Sequence, residues 1–150
     1  MKTIERDAIL AHVLFAAACI AVLAAPLGAA VGPRLLLLVV IYNVMVPVWA
    51  SFRGHREWTD IWLFAVILSV FQVFPDWFLA AQLDVLVFPV DGCFRIGAVS
   101  GYMAGLWSIP LFIICFLGER LRGRYNPDAA YIGVAGAAFV LFAGSEQTLW

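Results

Sequence analysis

The chain has 150 residues, 65% of them hydrophobic and only 13% charged, with a mean hydropathy of +0.99 and a formal net charge of −1. That excludes an ordinary soluble domain, in which about a quarter of the residues carry charge, and describes one membrane-embedded unit whose charges gather between apolar blocks. No basic tract with interleaved aromatics occurs, which argues against nucleic acid as a partner.

Met1 to Ala8 mixes Lys2, Glu5, Arg6 and Asp7, and the apolar run Ile9–Val31 forms the first expected span. A cleaved signal peptide is the rival reading, since Ala24, Ala25, Gly28 and Ala29 follow the run. The run exceeds the usual signal core of about 7 to 15 residues, and acids interrupt its basic flank. Gly32-Pro33-Arg34 predicts a tight connection. Span two is Leu35–Phe52, with Asn43 and Pro47 inside it. Trp58 and Trp62 follow a charged loop (residues 53–60) at the position of interfacial anchors. Span three is Ile61–Ala81, which Pro75 is expected to bend.

Residues 82–97 are too short and too broken to cross a bilayer, and read as a re-entrant or surface-lying loop. Span four is Val99–Leu117, with Pro110 as a second bend, and Asn126-Pro127-Asp128 announces a helix start. Span five covers residues 129–150 and has no tail, so a natural polypeptide continuing past Trp150 is expected. The whole is an all-α, polytopic membrane bundle of about five helices forming one domain over residues 1–150. Seven of the nine Lys and Arg residues fall at one end of this arrangement, which predicts a cytoplasmic N-terminus and an outward-facing loop 82–97.

Carboxylates inside apolar spans are rare and are by default candidates for function. Asp76 and Glu146 both stand fifteen residues beyond points expected at the basic edge, Ile61 and Tyr131, hence about 22 Å above it. Asn43 and Trp107, eight residues below the starts of their spans, fall about 12 Å down from the other face, so all four share one slab. Gln72, a turn below Asp76, extends it. Interhelical hydrogen bonding is the plain explanation for Asn43 and Gln72. Packing or interface placement is the plain explanation for Trp77, Tyr102 and Trp107.

Two acids close together in a low dielectric can divide the work, one holding a proton while the other stays ionised. Such a pair, with aromatic faces to stabilise a carbocation, suits protonation of an alkene or epoxide in a lipid-soluble substrate. Asp76 and Glu146 are the candidate catalytic residues. Asn43, Gln72, Trp77, Asp84, Tyr102 and Trp107 are the candidate substrate contacts. A proton-coupled carrier, or a non-enzymatic subunit with a structural polar layer, would use the same acids.

The stretch Phe78-Leu-Ala-Ala-Gln-Leu-Asp84-Val-Leu-Val-Phe-Pro89, with Arg95-Ile-Gly97 and Gly105-Leu-Trp107-Ser-Ile-Pro110-Leu-Phe112, resembles the integral-membrane isoprenoid cyclases and hydratases. These include the small lycopene cyclase domains and the fungal meroterpenoid cyclases. The resemblance implies an all-helical membrane fold and acid-initiated cyclisation or hydration of a terpenoid. Lycopene cyclase domains follow a proline with paired glutamates, whereas Pro110 is followed here by Leu111, Phe112 and Ile113, so Asp76, Asp84 and Glu146 would have to supply the acids.

No phosphate-binding loop, H-E-x-x-H or G-x-S-x-G occurs. Cys19, Cys93 and Cys115 are far apart, and His12 and His55 are isolated, so neither a metal nor a cofactor is expected. Asp84 and Asp91 fit turn formation better than cation binding, and Gly101 and Gly105 mark close helix packing.

Overall fold

A computed structural model describes residues 2–26 and 28–149, with side chains described through residue 144. The elements are α1 (Thr3–Ala24), α2 (Val31–Arg53), α3 (Arg56–Ala81), a hairpin of β1 (Arg95–Ile96) and β2 (Val99–Ser100), α4 (Met103–Leu106), α5 (Ser108–Arg122) and α6 (Pro127–Leu149). With α4 and α5 taken as one stretch, five helices are long and apolar enough to cross a membrane. The protein is a multi-pass helical membrane bundle.

The helix ends follow local rules. α1 stops before Pro26, because a residue preceding proline is pushed out of the helical region. The Arg34 guanidinium then caps the end of α1, donating to the carbonyls of Leu23 and Ala25 at 3.1 and 2.9 Å. Gly54 ends α2 in the left-handed region at φ 68°. α6 begins as a proline-led helix whose Asn126 side chain accepts the Ala129 N–H at 2.8 Å.

Several boundaries differ from expectation. Gly32-Pro33-Arg34 is the first turn of α2 and not a loop; proline is tolerated there because the first N–H groups of a helix have no internal partner. α1 begins at Thr3 and not Ile9, since its polar first turns find partners across the bundle. Buried Asp7 takes a two-pronged contact from Arg53 (2.8 and 3.2 Å) and lies 2.9 Å from His55 Nε2. Arg124 pairs with Glu5 at 2.6 Å, and Arg120 pairs with Glu57. These contacts gather the start of α1, the α2–α3 turn and the α5–α6 turn at one end, called here the basic end.

α2, α3 and the α4–α5 stretch pack together, with α1 laid on α2 and α6 on α5. The core alternates small residues with rings: Ala8, Ala11, Ala50 and Ala65 make room for Phe15, Tyr42, Trp58 and Phe112. Trp58 is fully buried against Phe112 and Phe116, and Trp62 turns its indole inward to α2, so neither is the interfacial anchor expected. Both lie on the face of α3 that also carries Ala65 and Ser69, and facing decides burial where sequence position alone does not. His12 is a packed residue. Its Nδ1–H is 2.8 Å from the Ala8 carbonyl, which leaves Nε2 to accept from the Tyr42 hydroxyl at 3.1 Å.

Residues 82–102 form an ordered cap at the opposite end. Gly97, at φ +63°, opens the two-residue turn between Ile96 and Val99. Arg95 donates to the Phe88 and Ala98 carbonyls at 2.6 and 2.9 Å. Asp91 is the keystone. Its carboxylate accepts the Cys93 N–H at 2.9 Å and the Ser100 hydroxyl at 2.7 Å, while its carbonyl accepts the Gly32 N–H at 2.9 Å, satisfying the start of α2. Burial by itself would push the Asp91 carboxyl up, but hydrogen bonds from Cys93, Ser100 and Tyr102 outweigh it and hold it below its ordinary value.

Candidate functional site

The buried positions of α3 are Trp58, Ala65, Ser69 and Asp76, spaced by sevens and a four, which is one face of a helix. Asp76 is only 4% exposed. The carboxylate therefore points into the bundle, where its Oδ2 accepts the Trp107 Nε1–H at 3.2 Å. Gln72, four residues earlier, is a further hydrogen-bond partner. Ser69, a turn below Gln72, is fully buried and its hydroxyl has no partner. A polar stripe of Ser69, Gln72 and Asp76 thus runs along an otherwise apolar face.

Trp107 sits between α4 and α5. Pro110 explains the interruption: its ring excludes the carbonyl four residues back, and its missing N–H is harmless in the first turn of α5. The expected second bend is thus a break just before the proline. One edge of the Trp107 indole reaches Asp76, and the ring packs on Phe142 of α6 at 5.3 Å. A single tryptophan so joins α3, the α4–α5 junction and α6.

Ser108, the next residue, addresses α2 instead. Its hydroxyl lies 3.0 Å from Asn43 Oδ1 and 2.7 Å from the Gly105 carbonyl. Asn43 Oδ1 also accepts the Trp62 Nε1–H at 3.2 Å, and its Nδ2 donates to the carbonyls of Val39 (2.9 Å) and Gly105 (3.3 Å). The approach needs glycine at 105, where a Cβ would meet Val39 Cγ1 at 2.6 Å. Asn43 is twelve residues into α2, about 18 Å along it, and Trp107 is only four beyond Met103. The equal depths expected of them were set by span starts that the structure moves.

The remaining sequence candidates separate from Asp76. Trp77 turns to the cap, its indole against Gly97, where a Cβ would stand 2.9 Å from Cδ1. Tyr102 is buried and joins the Asp91 group. Asp84 is exposed at φ 52° just beyond α3, a turn residue. Glu146 has its side chain outside the described residues. Trp62, Ser69 and Ser108 are polar contributors that sequence reasoning missed. Spacing was the signal for Ser69, three residues before Gln72 and seven before Asp76, whereas Ser108 carried none. Two openings of the bundle lie at the basic end and neither is lined by Asp76, so neither is the outward acidic pocket expected.

Fold and buried polar groups define a compact multi-pass helical membrane protein with an intramembrane acid. The chain belongs to the family described as a domain of unknown function, DUF6989, which matches residues 73–150 and so takes in Asp76, the cap, Trp107 and α6. Comparison with curated proteins and with solved structures returns no match.

Proposed function

We propose that the protein is a membrane-embedded isoprenoid cyclase or hydratase in which Asp76 starts the reaction as proton donor. The observation that carries this reading is the buried Asp76–Trp107 pair at the head of the Ser69–Gln72–Asp76 stripe. The carboxyl gives its proton to an alkene or epoxide of a lipid-soluble substrate, and π electrons elsewhere in the chain attack the resulting cation to close a ring. Loss of a proton from the last cation returns the count to zero, so a cyclised alkene is an isomer of its precursor; capture of water gives an alcohol instead. An aromatic face beside the carboxyl, that of Trp107, stabilises the cation, and Trp107 Nε1–H keeps the carboxylate oriented. Glu146 is the second acid in this scheme, with Gln72 as a polar contact.

The test is expression of the full chain in membranes supplied with polyprenyl alkenes and epoxides, with extracts read by mass spectrometry for isomers and for products one water heavier. Asp76→Asn should remove such a product while the detergent-extracted protein stays monodisperse. Product formation by that variant would overturn the proposal.

A non-enzymatic subunit or carrier is the second reading, favoured by the Asn43 cluster, whose polar atoms are matched within the bundle. It expects Asp76→Asn to lose assembly, with no lipid product from either form. We further propose that the basic end is cytoplasmic, since seven of nine Lys and Arg residues lie there.

A further inference from the structure

α1 packs on α2 and leaves an opening toward α5 at the basic end. The cavity is about 640 Å³ and is graded along its length. Its inner part is walled by Ile9, His12, Ile113 and Leu117. His12 adds no free polar atom, because one ring nitrogen faces the Ala8 carbonyl and the other the Tyr42 hydroxyl. The rim carries Arg120 and Arg124 against Glu5.

Both arginines are only partly satisfied. Each guanidinium has five N–H donors. The Arg124 side chain is 54% exposed, and its Nη2 meets Glu5. Nη2 of Arg120 meets Glu57, while its Nε is buried without an acceptor. The second opening at this end, between α3, α5 and α6, has the reverse charge balance, with Asp60 and Glu119 against Arg122. Two grooves of comparable size at one membrane level thus differ in sign.

We propose that the α1–α5 groove binds one phospholipid with an anionic headgroup, its phosphate at Arg120 and Arg124 and one acyl chain along Ile9, Ile113 and Leu117. Arginine suits a phosphodiester because its planar fork matches two oxygens at once. Glu5 is the group the phosphate displaces from Arg124. This site lies at the opposite end of the bundle from the Asp76 pair and does not depend on its chemistry.

Native mass spectrometry of the detergent-purified full chain tests it, with phosphatidylglycerol, phosphatidylcholine of the same acyl chains, and inorganic phosphate as probes. One phosphatidylglycerol should be retained in preference to phosphatidylcholine, and each arginine replaced by glutamine should cut that preference by about fivefold. Glu5→Gln should raise it. Ile9→Trp, which fills the apolar part, should abolish retention with both arginines present. Because Arg120 also pairs with Glu57, Arg124→Gln and Ile9→Trp decide the matter should Arg120→Gln fail to fold. Equal retention of the two lipids, a preference unchanged in Arg124→Gln, or displacement of the lipid by inorganic phosphate would overturn the proposal.

Discussion

Asn43 illustrates how one amide can hold three helical stretches. Its oxygen takes the Trp62 N–H from α3, and its nitrogen reaches the Gly105 carbonyl of α4 as well as its own helix. In a bilayer no water replaces a lost partner, so truncation leaves groups orphaned. Asn43→Leu should cost about 1–2 kcal/mol, the range for an interhelical hydrogen bond with its orphaned donor. Trp62→Phe removes the same N–H from the other side. In a double-mutant cycle read by thermal unfolding in detergent, the two losses should therefore sum to more than the loss in the double variant. Strictly additive losses would show that the 3.2 Å contact contributes nothing. Asp7 shows the same logic at the basic end, where burial is tolerated because Arg53 and His55 surround one carboxylate.

At the scale of elements, the cap responds to a change in pH. Asp91 holds three groups from its own hairpin and the start of α2. Its folded value lies below the unfolded one, so the carboxylate contributes stability above the ordinary carboxyl range and loses it as pH falls through the depressed folded value. Amide exchange over residues 88–102, corrected for intrinsic rates, should stay flat from neutrality down to about pH 4 and quicken below it. Asp91→Asn should exchange faster already at neutral pH and show little further change. A flat profile in the unaltered chain would detach the carboxylate from the hairpin's stability. Elements also mark where sequence reading succeeds. Asn126-Pro127-Asp128 is a helix start because that signal is local. Of the Gly101/Gly105 pair, only Gly105 packs helix on helix, against Val39, whereas Gly101 lies in a turn against the Phe94 ring of the cap. The start of α1 is hidden, because Glu5 and Asp7 look like solvent-facing residues until Arg124, Arg53 and His55 arrive from elsewhere in the chain. Trp58 and Trp62 are misread for a related reason, since a tryptophan near a span end gives no sign of which way it faces.

For the whole molecule, hydropathy announces five crossings, and five helices of sufficient length form. The buried acid of α3 is equally legible, since a carboxylate amid apolar residues stands out, but its partner Trp107 is set by the α4–α5 break and not by depth. Which end faces the cytoplasm rests on charge, and cysteine chemistry can decide it. Cys19 and Cys115 lie within spans and Cys93 is half-buried in the cap, so a background lacking Cys93 leaves few reactive thiols. Val90 is 93% exposed in the cap and Tyr125 is 59% exposed in the α5–α6 turn, so each tolerates replacement by cysteine at opposite ends. With a membrane-impermeant maleimide on intact cells, Val90→Cys should label at once and Tyr125→Cys only after permeabilisation. Arg34 and Arg95 do not offset this bias: Arg34 caps α1, and Arg95 donates to carbonyls within the cap. The inverse labelling pattern would place the end that carries Arg120, Arg122 and Arg124 outside, and the same fold would then sit in the membrane the other way up.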